Sequence, residues 1–534
     1  MKTIFFILFL MAMLHLSESL AQSHLIEWQH NYGGTLGDVP NSIFKTFDKG
    51  YFITGFTQSS DGNIFDFKGI TDYFIIKTDS LGMMQWSQTF GGSGYDIANC
   101  GFQTKDGGYI IAGSTSSTDG DILVNHGSSD AWLIKIDANG ILQWEKTYGG
   151  SGDETALSIA STEDGGYIMV GETDSNDGDV SGNHGQEDCW IIKIDSVGNL
   201  EWQKCFGGSH FEIGYSIKQT PEGSYIVAAS AQSHDGDVVG HHYDNIHYVD
   251  GFDFWVFKLD RQGNILWQNC LGGNNDESPS DLQLTPDGGC IAAGYTYSST
   301  GDVRINHGYQ DVWVTKLDSM GNLQWQKTYG GVNDEQASHI ILSKDGGYIV
   351  GATNEGDDGE VQGNHGGQDV WLLKIDERGK LQGQLSLGGS TNDREPASLQ
   401  KADGSLVIAA WSQSSDGDVT ANKGDDDVWL FKLTGTQMDE LNGKENTSAV
   451  EKKEIISNSR FISIAPNPSA GSFRLYSSQE IKNIIVYDLS GKQLELLNNI
   501  TMDASFGESY QPGIYLVRVM LGDGSVRTMK VVKL

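Results

Sequence analysis

Basic residues are scarce in this chain of 534 residues: 35 Lys and Arg stand against 71 Asp and Glu, which gives a formal net charge of −36. A charge of this sign argues against nucleic acid or an anionic membrane as the partner, and it is compatible with cations, basic proteins and neutral glycans. Long apolar runs are also lacking. The run from Ile4 to Leu16 is too short to span a bilayer and no other stretch is long enough, so the sequence predicts no transmembrane segment.

Cysteine and proline are few, with 5 and 8 residues against 69 glycines. The cysteine count is odd and the cysteines do not recur with the repeat described below, so we expect small buried side chains rather than a disulfide framework. Few prolines and many glycines are typical of a chain with many β-ladders and tight turns. Beyond the N-terminal segment we find no long helical periodicity.

The N terminus has the order of a targeting signal. A lysine at position 2 precedes the apolar run, and the small residues Ser19 and Ala21 follow it. This order predicts a secretory signal peptide over residues 1–21 and an exported mature chain. No cysteine follows the apolar run, so we do not expect a lipid anchor.

One block of sequence recurs seven times, and in each copy a strand containing Trp runs into Gly-Gly. The spacings between successive copies are 58, 58, 58, 65, 58 and 58 residues. A period of this size predicts a repeat architecture, in which each unit buries its faces against its neighbours. The anchor positions are Trp28, Trp86, Trp144, Trp202, Trp267, Trp325 and, in the seventh copy, Gly383.

Each unit contains four short apolar segments joined by turns rich in Gly, Asp and Asn, as hairpins require. Seven such units predict an all-β, seven-bladed β-propeller over residues 22–435. The array begins with a lone outer strand, Leu25 to Tyr32, and the seventh unit lacks one. The first strand can therefore complete the last blade and leave no open edge. A β-solenoid is the alternative, and it would not need complementary ends.

The long loop inside the units carries a recurring pattern, Asp-Gly-Asp-x3-Asn-His-Gly-x2-Asp, which is complete in the second and third units and is disturbed by Thr300 and Glu360 in later ones. Alternate carboxylates followed by Asn and a further Asp have the oxygen spacing of a Ca²⁺ loop, so Ca²⁺ is the one cofactor that the sequence indicates. The alternative is that these side chains cap turns. We expect the loop histidines to be hydrogen-bonded structural residues. The candidate metal ligands are Asp119, Asp121, Asn125, Asp130, Asp177, Asp179, Asn183 and Asp188.

Two charged positions also recur in every unit: an acid ten residues after the anchor, such as Asp96, and a Lys in the last segment, such as Lys77. This Lys must be partly buried between blades and therefore needs a partner. Seven copies indicate scaffolding, because a catalytic pair is needed once. Carboxylates for glycoside hydrolysis could be assembled from this acid-rich set, but nothing in the sequence selects two of them.

The fourth unit breaks the symmetry, because its spacing is 65 residues where the others have 58. Residues 241–250 contain three His, two Tyr and two Asp, which is dense enough for a metal or ligand site. The alternative is a surface loop without a binding role, at a position where the fold tolerates insertions. The candidate ligand-binding residues are His241, His242, His247 and Asp250.

The repeats give way to a different C-terminal segment. Residues 436–460 are polar without strand alternation, which predicts a linker, and residues 461–534 alternate strands with Gly turns, which predicts a small β-sandwich. The latter contain Pro466-Asn467-Pro468, Tyr487-Asp488-x2-Gly491-Lys492, Gly513-x-Tyr515 and Lys533 near the end. With these elements the segment resembles the C-terminal sorting domain of type IX secretion substrates in the Bacteroidota. The resemblance implies handling by the type IX machinery, removal of the domain, and a cargo that is anchored at the surface or released.

We therefore expect an exported propeller, at the cell surface or secreted, that acts as a monomeric binding or adhesion module for a glycan or a protein. The alternatives are an endoglucanase-like hydrolase on a propeller scaffold and a purely structural surface protein. The sequence identifies no catalytic residue.

Overall fold

The computed structural model describes residues 26–242, 251–434, 462–465, 473–477, 481–488, 492–500, 503–522 and 526–533. The predicted signal peptide, residues 1–21, and the predicted linker, residues 436–460, lie outside the described residues. The chain divides into two compact units, residues 1–445 and 446–534. Every helix or strand element in the described ranges is a β-strand, so these ranges contain no helix that could cross a membrane.

The first unit consists of seven four-stranded antiparallel sheets. In each sheet the inner strand follows a Gly-Gly turn. In blades 1 to 6 the other three strands follow it outward in chain order, and in blade 7 the outermost strand is the first strand of the chain. The strands are, in blade 1, β2 Asp38–Lys45, β3 Tyr51–Thr57, β4 Asp72–Thr78 and β5 Met84–Phe90; in blade 2, β6 Asp96–Gln103, β7 Tyr109–Thr115, β8 Asp130–Ile136 and β9 Leu142–Tyr148; in blade 3, β10 Glu154–Ser161, β11 Tyr167–Thr173, β12 Asp188–Ile194 and β13 Leu200–Phe206; in blade 4, β14 Glu212–Gln219, β15 Tyr225–Ala231, β16 Asp253–Leu259 and β17 Ile265–Leu271; in blade 5, β18 Glu277–Leu284, β19 Cys290–Thr296, β20 Asp311–Leu317 and β21 Leu323–Tyr329; in blade 6, β22 Gln336–Leu342, β23 Tyr348–Glu355, β24 Gln368–Ile375 and β25 Leu381–Leu387; and in blade 7, β26 Asp393–Gln400, β27 Leu406–Ser412, β28 Asp427–Leu433 and β1 Ile26–Tyr32.

The first strand completes the last sheet. β1 pairs antiparallel with β28, with Trp28 opposite Lys432 and Tyr32 opposite Val428. The inner strands contact one another in the cyclic order β2, β6, β10, β14, β18, β22, β26 and back to β2. The predicted seven-bladed propeller is thus confirmed, and the solenoid alternative is wrong because the ring of inner strands is closed.

The middle strands of each blade form the core, because both of their faces pack on neighbouring blades. β4, β8 and β12 are buried at every residue. The third strand carries a fully buried Trp in six blades, and its indole N–H donates to the outer strand. Trp190 Nε1 donates to Gln203 at 2.9 Å, and Trp429 makes the same bond to Gln29 across the closure, also at 2.9 Å. Each of these indole rings is therefore buried, while its N–H group has a hydrogen-bond acceptor.

The Trp anchors of the outer strands pack on the next blade. Trp86 covers Gly140, in the turn between β8 and β9, so closely that a Cβ on Gly140 would lie 3.2 Å from the indole ring. The φ angle of Gly140 is +82°, a second reason for glycine there. The repeated Trp thus serves contacts between blades. The other pairs are Trp28 with Gly82, Trp144 with Gly198, Trp202 with Gly263, Trp267 with Gly321 and Trp325 with Gly379.

All five cysteines are unpaired thiols, and all but the half-buried Cys100 are buried. Burial raises the pKa of the Cys100, Cys205 and Cys290 thiols to about 12. The thiols are therefore protonated at neutral pH and act as small buried side chains, as the sequence predicts.

The C-terminal unit is a separate all-β domain with its own core. One sheet has the order β29-β30-β33 and the other the order β32-β31-β34-β35. Phe473, Ile484, Val517 and Val531 are buried in the core that the two sheets share. The strands are β29 Ile462–Ala465, β30 Phe473–Ser477, β31 Ile481–Asp488, β32 Gln493–Ile500, β33 Asp503–Phe506, β34 Gly513–Leu521 and β35 Val526–Lys533.

Candidate functional site

One face of the propeller carries both the Gly-Gly turns and the long loops, because successive strands in a blade run antiparallel. The end of the long loop of blade 2 lies beside the Gly-Gly turn into blade 3, where Ser129 and Asp153 form a parallel bridge. The Glu154 N–H donates to the Ser129 carbonyl at 2.7 Å. We call this the loop face. Most of the candidate residues lie on this face.

The two acids of the Asp-Gly-Asp motif hold the Gly-Gly turn that leads into their own blade. In blade 2, Asp119 Oδ1 accepts the Ser93 N–H at 2.7 Å, and Asp121 Oδ2 accepts the Gly91 N–H at 3.0 Å. Asp121 also pairs with Lys68 of the preceding blade at 2.9 Å. In blade 3, Asp177 accepts the Ser151 N–H at 2.7 Å, and the Asp179 N–H donates to the Gly149 carbonyl at 2.9 Å. The motif therefore ties the long loop of a blade to the Gly-Gly turn that leads into the same blade.

The Asn residues of the loops tie the loop to itself. Asn125 Nδ2 donates to the Ser117 carbonyl at 3.1 Å, and its Oδ1 accepts the Gly127 N–H at 2.9 Å. Asn183 Nδ2 donates to the Thr173 carbonyl at 3.1 Å, and its Oδ1 accepts the Gly185 N–H at 2.9 Å. These are the bonds of turn-capping Asx residues. Within the described ranges no three His, Cys, Asp or Glu residues are grouped to hold a metal ion. The calcium site stays a prediction.

The last Asp of each loop accepts the backbone N–H of the basic residue four positions before it, or eleven in blade 4, and where that residue is His the Asp also contacts its imidazole ring. Asp130 and Asp188 are fully buried, and Oδ2 of each lies 2.6 Å from Nδ1 of His126 or His184 and also accepts that residue's backbone N–H. The hydrogen bond to Asp369 raises the pKa of His365. These histidines are therefore structural. The seven basic positions are Lys68, His126, His184, His242, His307, His365 and Lys423.

Every blade junction also buries two carboxylates on either side of the first glycine of the Gly-Gly turn. At the junction of blades 1 and 2, Asp72 Oδ1 and Asp96 Oδ2 lie 2.6 and 2.7 Å from the point that a Cβ on Gly91 would occupy. Both side chains have 0% exposure. Burial raises the pKa of Asp72 to about 6, and the charge of Asp96 adds to the rise. A polysaccharide cannot reach such a pair, so these acids are not candidates for glycoside hydrolysis.

The Lys of the third strand is satisfied by the Asp-Gly-Gly turn of its own blade. Lys77 Nζ lies 2.8 Å from Asp48, and its side chain is 4% exposed. Lys135 and Asp106 repeat the contact at 3.0 Å. In blade 7 the partner is Glu27 of the first strand, 2.6 Å from Lys432. The seven Lys residues therefore have a structural role. Lys432, the last of them, has its ion pair only because the first strand completes blade 7.

The insertion of the fourth unit follows His242. His242 occupies the position of the loop histidine in other blades: its Nδ1 lies 2.8 Å from Asp253, and its Nε2 lies 3.4 Å from Asp302 of the next blade. His241 Nε2 lies 2.9 Å from the Gly251 carbonyl. Both His side chains thus fix the base of the insertion. His247 and Asp250 lie outside the described residues.

Symmetry breaks most clearly along the inner strands of blades 4 to 7. Asp281 accepts a hydrogen bond from Ser216 at 3.1 Å and lies 3.4 Å from His339 Nε2, while His339 Nδ1 lies 3.4 Å from Ser398 Oγ. Burial lowers the pKa of His339, so the imidazole is neutral. The order Ser, His, Asp is that of a hydrolase triad. Ser398 is 2% exposed, however, so a substrate carbonyl cannot approach Oγ, and we assign the network a structural role.

A polar cavity of about 240 Å³ opens at the loop-face end of the inner strands of blades 5, 6, 7 and 1. Its only Arg is Arg394, which stands 4.5 Å above the Trp411 ring. Trp411 Nε1 donates to Glu395 at 3.2 Å. In the part of the chain that the structure describes, Arg394 has no ion-pair partner, and neither Arg394 Nε nor Asp334 Oδ1 has a hydrogen-bond partner. We call this the channel-mouth cavity.

The comparison with known families identifies the C-terminal unit. Residues 463–533 match the family model of the secretion system C-terminal sorting domain. The chain is thus cargo of type IX secretion, a propeller followed by a sorting domain, and is exported from the cell. The similarity to type IX substrates that the sequence motifs indicate is confirmed.

The propeller is similar to several proteins that are distant from it in sequence. The chain is 22% identical over 223 residues to the regulatory protein FlaEY of Caulobacter vibrioides, and the match covers 40% of this chain and 23% of that protein. PorZ, a surface component of the type IX secretion system of Porphyromonas gingivalis, is 12% identical, with a TM-score of 0.37, over 94% of this chain and 60% of PorZ. The Pan2 WD40 domain of Neurospora crassa is 12% identical, with a TM-score of 0.38, over 73% of this chain and 89% of that one. At these scores the likeness carries no information on function.

Proposed function

We propose that this exported protein is a binding module for a glycan or a protein, at the cell surface or free outside the cell, and that the channel-mouth cavity is its ligand site. The observation that carries the proposal is Arg394. The equivalent residues of the other inner strands are Val39, Ile97, Thr155, Ile213, Ser278 and Gln336. Among the described residues this half-buried Arg has no ion pair, which makes it costly to retain, and its ring contact with Trp411 lies within its own blade.

The remaining charged positions support a scaffold role and leave the cavity as the candidate. The third-strand Lys residues, the basic residues of the long loops and the buried carboxylate pairs each recur around the propeller. The Lys and His side chains have partners within or between blades, whereas one oxygen of the loop Asp, such as Asp72 Oδ1, has no hydrogen-bond partner among the described residues. A site that serves one ligand needs a feature that occurs once, and ligand sites are concave with a few convergent polar groups. The channel-mouth cavity meets both requirements.

Binding to immobilised glycans and to surface proteins by the purified chain without residues 1–21 tests the proposal. We expect saturable binding to a small set of ligands. Release of reducing sugars from a polysaccharide would favour the hydrolase alternative, and the absence of both binding and turnover would favour a purely structural surface protein. Sedimentation of the same sample tests the expected monomer.

A further inference from the structure

We infer that the channel-mouth cavity binds the end of a neutral glycan, with Arg394 and Asp334 supplying the donor and the acceptor for adjacent hydroxyl groups. This inference rests on the proposed function and specifies its ligand. It follows from the hydrogen-bonding character, the charge and the size of the cavity.

The cavity offers donors and acceptors together. Arg394 and Asp334 both line the cavity, and among the described residues neither side chain has an ion-pair partner. The side chains of Gln310, Gln336 and Gln368 also line the cavity, and each amide can both donate and accept. A sugar hydroxyl likewise donates one hydrogen bond and accepts others, so a ring with several hydroxyls matches this lining.

The charge of the site favours a neutral sugar over an acidic one. Arg394 is flanked by Glu395 in the chain and shares the cavity with Asp334. The whole chain carries a formal net charge of −36, which repels an anion on approach. The guanidinium is therefore placed to donate hydrogen bonds rather than to neutralise a carboxylate or a sulfate.

The apolar lining is too small for a protein ligand. Protein interfaces depend on aromatic or aliphatic anchors in fitted pockets. Here the apolar lining residues are Pro40, Pro396 and Ala397, and the ring of Trp411 is covered by Arg394. The cavity of about 240 Å³ is also below the range of roughly 300–1,000 Å³ that is usual for drug-sized ligands. One sugar residue at a chain end fits this space better than a peptide segment.

The test compares the purified chain without residues 1–21 with two variants in a glycan array and by calorimetry. The array holds neutral glycans, uronate-containing glycans and sulfated glycans, and immobilised peptides form a separate arm. The variants are Arg394→Gln and the matched control Arg378→Gln. Arg378 has an 85% exposed side chain in an outer turn of blade 6. Arg394→Gln should fold, because Gln336 occupies the equivalent position in blade 6.

We expect the wild-type chain and Arg378→Gln to bind the same neutral glycan, and Arg394→Gln to bind it at least 10-fold more weakly. Asp334→Asn should give a similar loss, and it supplies a second readout if Arg394→Gln melts at a lower temperature than the control. Neutral-glycan binding that survives both substitutions would overturn the assignment of the site. Binding only to acidic glycans or to peptides would overturn the ligand class while leaving the proposed function intact. Failure to bind any ligand would remove the proposed function itself.

Discussion

The buried carboxylate pairs make the stability of the propeller depend on pH. Burial raises the pKa of Asp72, Asp393 and Asp427 to about 6 and that of Glu277 and Glu335 to about 7. Each group binds its proton more tightly in the folded chain than in the unfolded one. Its contribution to stability is therefore fully present below the unfolded value, 3.8 for Asp and 4.5 for Glu, and is lost as the pH rises through 6 to 7.

Replacement of Asp72 by Asn isolates one such pair. A shift of roughly two pKa units corresponds to about 3 kcal/mol, which the folded chain loses when Asp72 ionises. The Asn side chain keeps the acceptor for the Lys68 N–H, which lies 2.8 Å from Asp72 Oδ2, and its amide can donate toward Asp96. We expect Asp72→Asn to be more stable than the wild type by about 2 kcal/mol at pH 8 and by no more than about 1 kcal/mol at pH 4.5.

Thermal melting at the two pH values measures the effect. The gain at pH 8 should raise Tm by about 2–4 °C, since the propeller is large and each kcal/mol moves Tm little. Asp66→Asn is the matched control: it removes the same charge from the same loop, where the side chain is 82% exposed, and should shift Tm little. A Tm change of equal size at both pH values, or a loss of stability at pH 8, would refute the reasoning.

Three further predictions concern closure, export and calcium. Deletion of residues 22–34 removes β1, exposes the edge of β28 and leaves Lys432 without Glu27, so we expect a Tm loss of more than about 10 °C; melting like the wild type would contradict the closed ring. Deletion of residues 461–534 should leave a folded propeller in the periplasm, and surface delivery of the truncated chain in cell fractionation would contradict the sorting role. Calorimetry and melting with Ca²⁺, Mg²⁺ or chelator test the loops: if they bind Ca²⁺, Tm should rise with Ca²⁺ and fall with chelator, whereas no uptake and unchanged melting would leave Asp119 and Asp121 as turn-capping residues that accept backbone N–H groups.

The sequence was sufficient for the architecture because the fold repeats. Four apolar segments per unit, the glycine turns and the lone first strand predicted the blades and their closure without any knowledge of contacts. The partners of the buried groups were not predictable in this way. Lys77 meets Asp48 from a turn 29 residues earlier, and Asp72 meets Asp96 across a blade junction. Such pairs depend on how blades pack, which periodicity alone does not reveal.

The candidate site was not predictable from motifs, because its main residue, Arg394, departs from the repeat instead of recurring with it. The most frequent polar pattern in the sequence is that of the long loops, and the structure places turn-capping side chains there. Arg394 leaves no motif in the sequence. Alignment of the seven inner strands would have shown it, since the position holds apolar or neutral residues in every other unit.

A departure from the repeat is informative only when packing does not account for it, and Gly383 shows the distinction. Each outer Trp covers the turn between the third and fourth strands of the next blade, as Trp325 covers Gly379. Blade 7 has no such turn, because its fourth strand, β1, comes from the start of the repeat and its third, β28, from the end. Blade 6 is the blade that would cover it, and there the Trp is replaced by Gly383. That substitution has a cause in the fold. Among the described residues Arg394 has no ion pair, and its one ring contact, with Trp411 on the paired strand, lies within its own blade. Packing between blades therefore does not account for Arg394, and for this reason we assign it to a ligand.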